Sequence, residues 1–237
     1  TSSPYVIDIF GFCTNSALFE YGDEGSIEDA VWYSSKGKRE LSMMERLKMA
    51  IDVASGISAV HNFDAEGRAS VAHTDITTGQ FILINGVYKL NDFNRCRFLR
   101  WDVKQKKPCG YFVGNNPGKL RAPEEYAYTE QSEKVDIYSM GNIFYILLTE
   151  EWPFPNYKEK RVWKKVMDGE RPFVNKYLKE STDPIVVALI EAMKMCQAHD
   201  PEERASARVV LRYLKSVLRE VKNDVGGRSS KVTASRT

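Results

Sequence analysis

One stretch, His73 to Asn94, reading H-T-D-I-T-T-G-Q-F-I-L-I-N-G-V-Y-K-L-N-D-F-N, constrains this chain more than any other. Phe81-Ile82-Leu83-Ile84 and Val87-Tyr88-Lys89-Leu90 are two short β-type runs, joined by Asn85-Gly86, the strongest two-residue hairpin signal. A hairpin returns the chain to its start. Asp75, just before the first run, and Asp92, just after the second, are therefore expected at the same open end, with the Gln80 amide beside them. Oxygen ligands so grouped suit Mg²⁺, which is commonly held by one or two carboxylates plus substrate phosphates. Taken alone, the stretch also reads as a surface hairpin with acids in its flanking loops, because N-G hairpins are common.

The order of residues adds to this. His-x-Asp, four further residues, an amide side chain, a hairpin and then Asp-Phe closely resemble the protein-kinase catalytic loop and metal-binding motif, H-R-D-L-x-x-x-N followed by D-F-G. Ala122-Pro123-Glu124 supplies the A-P-E motif downstream. The resemblance runs from about Pro4 to Val221. It implies an α+β, protein-kinase-like fold: a remnant of the N-lobe β-sheet and the hinge over residues 1–24, a mainly α-helical C-lobe over 25–222, and a disordered tail over 223–237.

Composition sets outer limits. The apolar and charged fractions are those of an ordinary globular protein and select no fold class. A net charge of +2 lacks the basic excess of a nucleic-acid-binding domain, and no apolar run approaches the roughly 20 residues that span a bilayer. Cys13, Cys96, Cys109 and Cys196 show no C-x-x-C spacing and are sparse for a disulfide framework, so reduced thiols and an intracellular, cytoplasmic address are expected. The chain starts at Thr1 with neither methionine nor signal-peptide pattern, so a fragment is expected, and membrane attachment through other regions stays open.

Residues Tyr5–Cys13 and Ser16–Tyr21 read as two strands separated by Thr14-Asn15, and the Gly22–Ser26 run resembles the hinge that holds adenine through backbone groups. On that resemblance Phe19 is the gatekeeper, Glu20 and Gly22 offer the backbone carbonyl and amide, Ser26 lies near the ribose, and Ile82 floors the adenine. A hairpin followed by a helix start explains the same local pattern. The Gly-rich loop, the strand lysine and its glutamate partner are not in this sequence.

Ser42-Met43-Met44-Glu45 is a capping box, and Leu47, Ile51, Ala54, Ile57 and Ala59 or Val60 continue it as an apolar stripe to about His61. Residues Val135–Leu148 are apolar on almost every face, as in a buried helix, with Asp136 as the exception. A buried carboxylate needs donors, and the resemblance supplies them as catalytic-loop backbone N–H groups; a carboxylate at a solvent-facing helix start is the other reading. Asp183-Pro184 opens an apolar helix through Met195, Asp200-Pro201-Glu202-Glu203-Arg204 resembles the family's D-P-x-x-R turn, and Ala205–Val221 forms the last helix. Arg204 is expected to pair with Glu124.

Between Asn94 and Ala122, the counterpart of the activation segment carries Arg95, Arg97, Arg100, Lys104, Lys106 and Lys107 against Asp102, and no serine or threonine. Tyr111 is its only hydroxyl side chain, and Thr74 replaces the arginine that in many kinases binds a segment phosphate. The resemblance implies an ATP-dependent protein kinase acting on a protein substrate or signalling partner. Asp75 would be the catalytic base, Asp92 and Gln80 would hold Mg²⁺, and the choice of Ser/Thr or Tyr acceptor stays open. The alternative is a pseudokinase serving as a binding module, resting on Thr74, on Thr77 for the loop lysine or its equivalent, on Gln80 for asparagine and on Asn94 for glycine.

Overall fold

A computed structural model describes residues 3–14, 16–35, 40–65 and 67–233. In chain order the strands and helices begin with β1 (Ile9–Cys13), β2 (Ser16–Phe19), α1 (Ile27–Ser35) and α2 (Met43–His61). Next come β3 (Val71–Ala72), β4 (Phe81–Ile84), β5 (Val87–Leu90), β6 (Arg97–Phe98), β7 (Trp101–Asp102) and β8 (Lys107–Pro108). The chain ends in α3 (Pro123–Tyr126), α4 (Lys134–Thr149), α5 (Glu159–Met167), α6 (Lys176–Lys179), α7 (Pro184–Cys196) and α8 (Ala207–Thr233). Among the described residues, four small sheets are antiparallel pairs: β1 with β2, β3 with β6, β4 with β5, and β7 with β8. The architecture is α+β and mainly helical, as expected.

The core lies among α2, α4, α7 and α8. Leu47, Val53, Ala54 and Ile57 of α2 meet Met140, Ile143, Phe144 and Leu147 of α4, and Leu189 and Ala192 of α7 close the cluster. The α2 stripe starts at the expected cap: Ser42 Oγ accepts from Glu45 N at 3.3 Å, and Glu45 Oε2 accepts from Ser42 N at 3.0 Å. Phe81, Tyr88 and Leu90 point inward from the β4–β5 hairpin and join this core, which fixes the hairpin against the helices.

Three expectations need correction. The first strand, read as Tyr5–Cys13, is β only from Ile9, because the chain before it leaves β2 and pairs with the hairpin. Ile7 N donates to Leu90 O at 3.0 Å and Leu90 N to Tyr5 O at 2.9 Å, and Ile7 is thereby buried. The second strand stops at Phe19 rather than Tyr21, and the expected turn residue Asn15 lies outside the described residues. The last helix, read as Ala205–Val221 with a disordered tail beyond, begins at Ala207 and is continuous to Thr233. Elongating an established helix adds one hydrogen bond per residue, so backbone helix extends past Val221, which packs on the core. Residues 234–237 lie outside the described residues.

Candidate active site

Asn85 and Gly86 adopt φ of 52° and 77°, as a type I′ turn demands, and β4 pairs with β5 in the register Phe81↔Leu90 to Ile84↔Val87. The pairing continues one step outward, where Asn91 N donates to Gln80 O at 2.8 Å. Gln80 Nε2 then donates to Asp92 Oδ2 at 3.2 Å. His73 Nε2 lies 2.9 Å from Asn91 O, and its ring packs edge-on against Phe93, so the loop carrying Asp75 is tied to the strand end carrying Asp92. The two carboxylates expected at the open end of the hairpin are thus served by one set of contacts.

The loop itself is held from below by Asp136. This carboxylate is 1 % exposed; its Oδ2 accepts from His73 N at 2.7 Å and its Oδ1 from Thr74 N at 2.8 Å. The solvent-facing reading of Asp136 is therefore set aside. A third partner was not legible in the sequence: His61, at the end of α2, places Nε2 2.9 Å from Asp136 Oδ2. Thr74 sits at φ 62°, and Asp92 at φ 60°, so both flank the site in left-handed backbone. Residues outside glycine adopt this conformation rarely, and such strain gathers at functional sites. Thr74 Oγ1 donates to Arg95 O at 2.8 Å, joining the loop directly to the segment that follows Asp92.

Around residues 19–26, expected to form the hinge, a Cβ on Gly22 would lie 2.6 Å from Ile82 Cγ2 and 2.9 Å from Ile84 Cγ1, so glycine lets this backbone rest on β4. Leu83 N donates to Gly25 O at 2.8 Å and Ser26 bridges to Ile82, which places Gly22, Ser26 and Ile82 together. Glu20 N is bonded to Asp8 O at 2.9 Å, and the Glu20 carboxylate takes Lys89 Nζ at 2.7 Å. That bond from Lys89 holds the Glu20 carboxyl below its ordinary range. Phe19 is exposed beside it. Ser26 Oγ donates to Asp29 Oδ2 at 2.8 Å and receives Asp29 N, so its hydroxyl caps α1; the S-x-x-D spacing carried that signal in the sequence.

Farther out, Arg204 makes the expected pair with Glu124, two bonds of 2.6 and 2.8 Å, with the guanidinium fully buried. Tyr111 donates its hydroxyl to Ser132 O at 3.1 Å, and burial pushes its ionisation far above the ordinary range. A second contact escaped the sequence reading: Arg121, the residue before A-P-E, bonds Asp75.

Comparison with known proteins agrees with this geometry. Residues 1–214 match the family model described as the protein kinase domain. The chain belongs to the protein kinase family. Among curated relatives, it is 27 % identical to the dual specificity protein kinase shkD of Dictyostelium discoideum, over 91 % of this chain and 27 % of that protein. It is 27 % identical to protein LYK5 of Arabidopsis thaliana, over 90 % of this chain and 34 % of that protein, and 25 % identical to the LRR receptor-like serine/threonine-protein kinase GSO2 of the same plant, over 90 % and 18 %. The chain thus spans about a third or less of the length of these relatives. Among the described residues, no helix is long and apolar enough to cross a membrane. Nor do they contain a cluster of three or more His, Cys, Asp or Glu groups able to hold a metal.

Proposed function

We propose that this chain is the catalytic part of an ATP-dependent protein kinase that transfers the γ-phosphate to a protein hydroxyl. The observation that carries the reading is the joining of Asp75 and Asp92 at one end of the β4–β5 hairpin, through Gln80, Asn91 and His73. Asp75 orients the acceptor hydroxyl and takes its proton; its Oδ2 receives no bond from the described residues. The donor set at Asp92 and Gln80 is a carboxylate and an amide, hard oxygen ligands of the kind Mg²⁺ takes. Mg²⁺ held there would neutralise charge on the transferring phosphates. Glu20 O and Gly22 N face adenine, Phe19 closes the back of the site, Ile82 forms the floor, and Ser26 sits at the ribose side. The four cysteines are unpaired, which supports an intracellular address.

A second reading, a pseudokinase acting as a binding module, has one observation in its favour. Gln80 stands where the family's loop carries the shorter asparagine, and its Nε2 donates to Asp92 Oδ2 at 3.2 Å. Asp75→Asn in the intact protein separates the two readings. It removes the base while nearly keeping its shape, and phosphoryl transfer is expected to fall by about 10²–10⁴-fold, with a smaller loss of melting temperature from the weakened bond to Arg121. Undiminished transfer would end the assignment of Asp75 as base.

A further inference from the structure

We infer that Arg121 is a positioning residue for Asp75, supplying from the segment before A-P-E the cation that the catalytic loop lacks at Thr77. The inference rests on the kinase reading above and adds to it a residue outside the loop.

The loop from His73 to Gln80 contains no lysine or arginine. At Thr77, where the resemblance calls for a basic residue in most members, the hydroxyl makes no cap bond to the 3-10 turn that follows. Arg121 fills the same electrostatic need from 46 residues away. Its Nη2 donates to Asp75 Oδ1 at 2.5 Å, Nη1 to Thr74 O at 2.6 Å, and Nε to Pro117 O at 3.0 Å. Glu125 Oε1 stands 3.7 Å from Nη1. The Arg121 side chain is 7 % exposed against 21 % for Asp75, so the fork is locked while the carboxylate still reaches the open side.

This geometry orients more than it blocks. One guanidinium grips both the backbone carbonyl of residue 74 and one oxygen of residue 75, which removes the freedom of the carboxylate to rotate and leaves Oδ2 for an acceptor hydroxyl. A planar fork pre-organised in this way does so at less entropic cost than a flexible ammonium. It also makes the conformation of residues 117–121 and the aim of Asp75 a single unit. None of the other basic residues of the segment bonds Asp75: Arg95 turns to Asn115 O and Asn116, and Arg97 to the carbonyls of Arg95 and Cys96.

The test is steady-state phosphoryl transfer by the intact protein carrying Arg121→Met, Arg121→Lys, or Arg121→Met with Thr77→Lys. A misplacement near 1 Å costs about 10²-fold, so kcat is expected to fall about 10–100-fold in Arg121→Met with KM for ATP unchanged. Thr77→Lys added to that variant should recover at least about ten-fold, because it returns a cation to the loop; a purely structural Arg121 would not be rescued from there. Should Met at 121 prevent folding, Arg121→Lys decides, with kcat several-fold down at unchanged KM for ATP as support and wild-type kcat as refutation. Wild-type kcat in Arg121→Met, or a rise in kcat through relief of a block, overturns the inference and leaves the kinase reading standing. A wild type without any transfer overturns the kinase reading and this inference with it.

Discussion

Two halves of this chain solve the burial of polar groups differently. In the helical body, Asp136 is surrounded by His61, His73 N and Thr74 N, Arg204 is paired bidentately with Glu124, and both sit beneath apolar helices. On the other side, β1 and β2 leave Phe10, Phe12 and Leu18 exposed. What holds that side, among the described residues, is backbone pairing, the close approach of Gly22 to β4 and the Lys89–Glu20 ion pair. The contrast teaches that the loop carrying Asp75 takes its shape from the body, whereas residues 19–26 are set by a few contacts with the hairpin. Substitutions should therefore act on stability in one half and on ligand handling in the other.

The largest loss is expected where the body buries charge. Glu124→Ala and Arg204→Ala should each cost about 3–5 kcal/mol, since each strands a buried partner, and the double variant should cost less than their sum. Denaturant titration of the cycle measures this, and strictly additive losses would show two uncoupled residues. Asp136→Ala should cost a similar amount, at about 1–3 kcal/mol for each of the two stranded N–H groups, with activity falling alongside because the loop loses its support. Chemical unfolding and transfer assays on the same sample check both parts.

Where body meets hairpin, the expected effect depends on pH. Asp52 of α2 accepts Tyr88 N at 3.2 Å, and burial pushes its carboxyl up to about 6 from 3.8. The folded state therefore binds the proton more tightly than the unfolded chain, so stability is fully present below pH 3.8 and declines as pH rises toward 6. Asp52→Asn should remove that part of the slope, read from melting temperatures at pH 4 to 7, while an unchanged slope would assign it to other groups. The smallest effect belongs to the open half: Phe12→Ser, at an 86 % exposed site, should stay within about 0.5 kcal/mol of wild type in the same melts.

What could be read from residues alone follows the same division. The N-G hairpin, the Ser42 cap and the α2 stripe are local chemistry, in which turn type and helical period are written in adjacent side chains. Asp136 and the Glu124–Arg204 pair became legible only through the kinase motifs, because no local pattern says which distant group meets a buried charge. His61 on Asp136 and Arg121 on Asp75 were missed for that reason: each joins elements tens of residues apart. The early end of the first strand has a related cause, since residues 5–7 have strand-like sequence but spend their hydrogen bonds on Leu90 rather than on β2. The Ser26 cap belongs with the local features, since its S-x-x-D spacing is written in adjacent side chains.

The proposed kinase activity requires that Asp75, Asp92 and Gln80 together form a working transfer site with an imperfect second metal ligand. Phosphoryl transfer measured against Mg²⁺ concentration for wild type, Gln80→Asn and Asp92→Asn in the intact protein tests this most directly. Shortening the amide by one methylene should free Asp92 from its bond to Gln80 and bring the oxygen to better reach. The predicted result is a measurable wild-type rate, a higher rate for Gln80→Asn that is most evident at low Mg²⁺, and a dead Asp92→Asn. Three coincident curves would contradict the catalytic assignment and leave the protein a kinase-fold binding module.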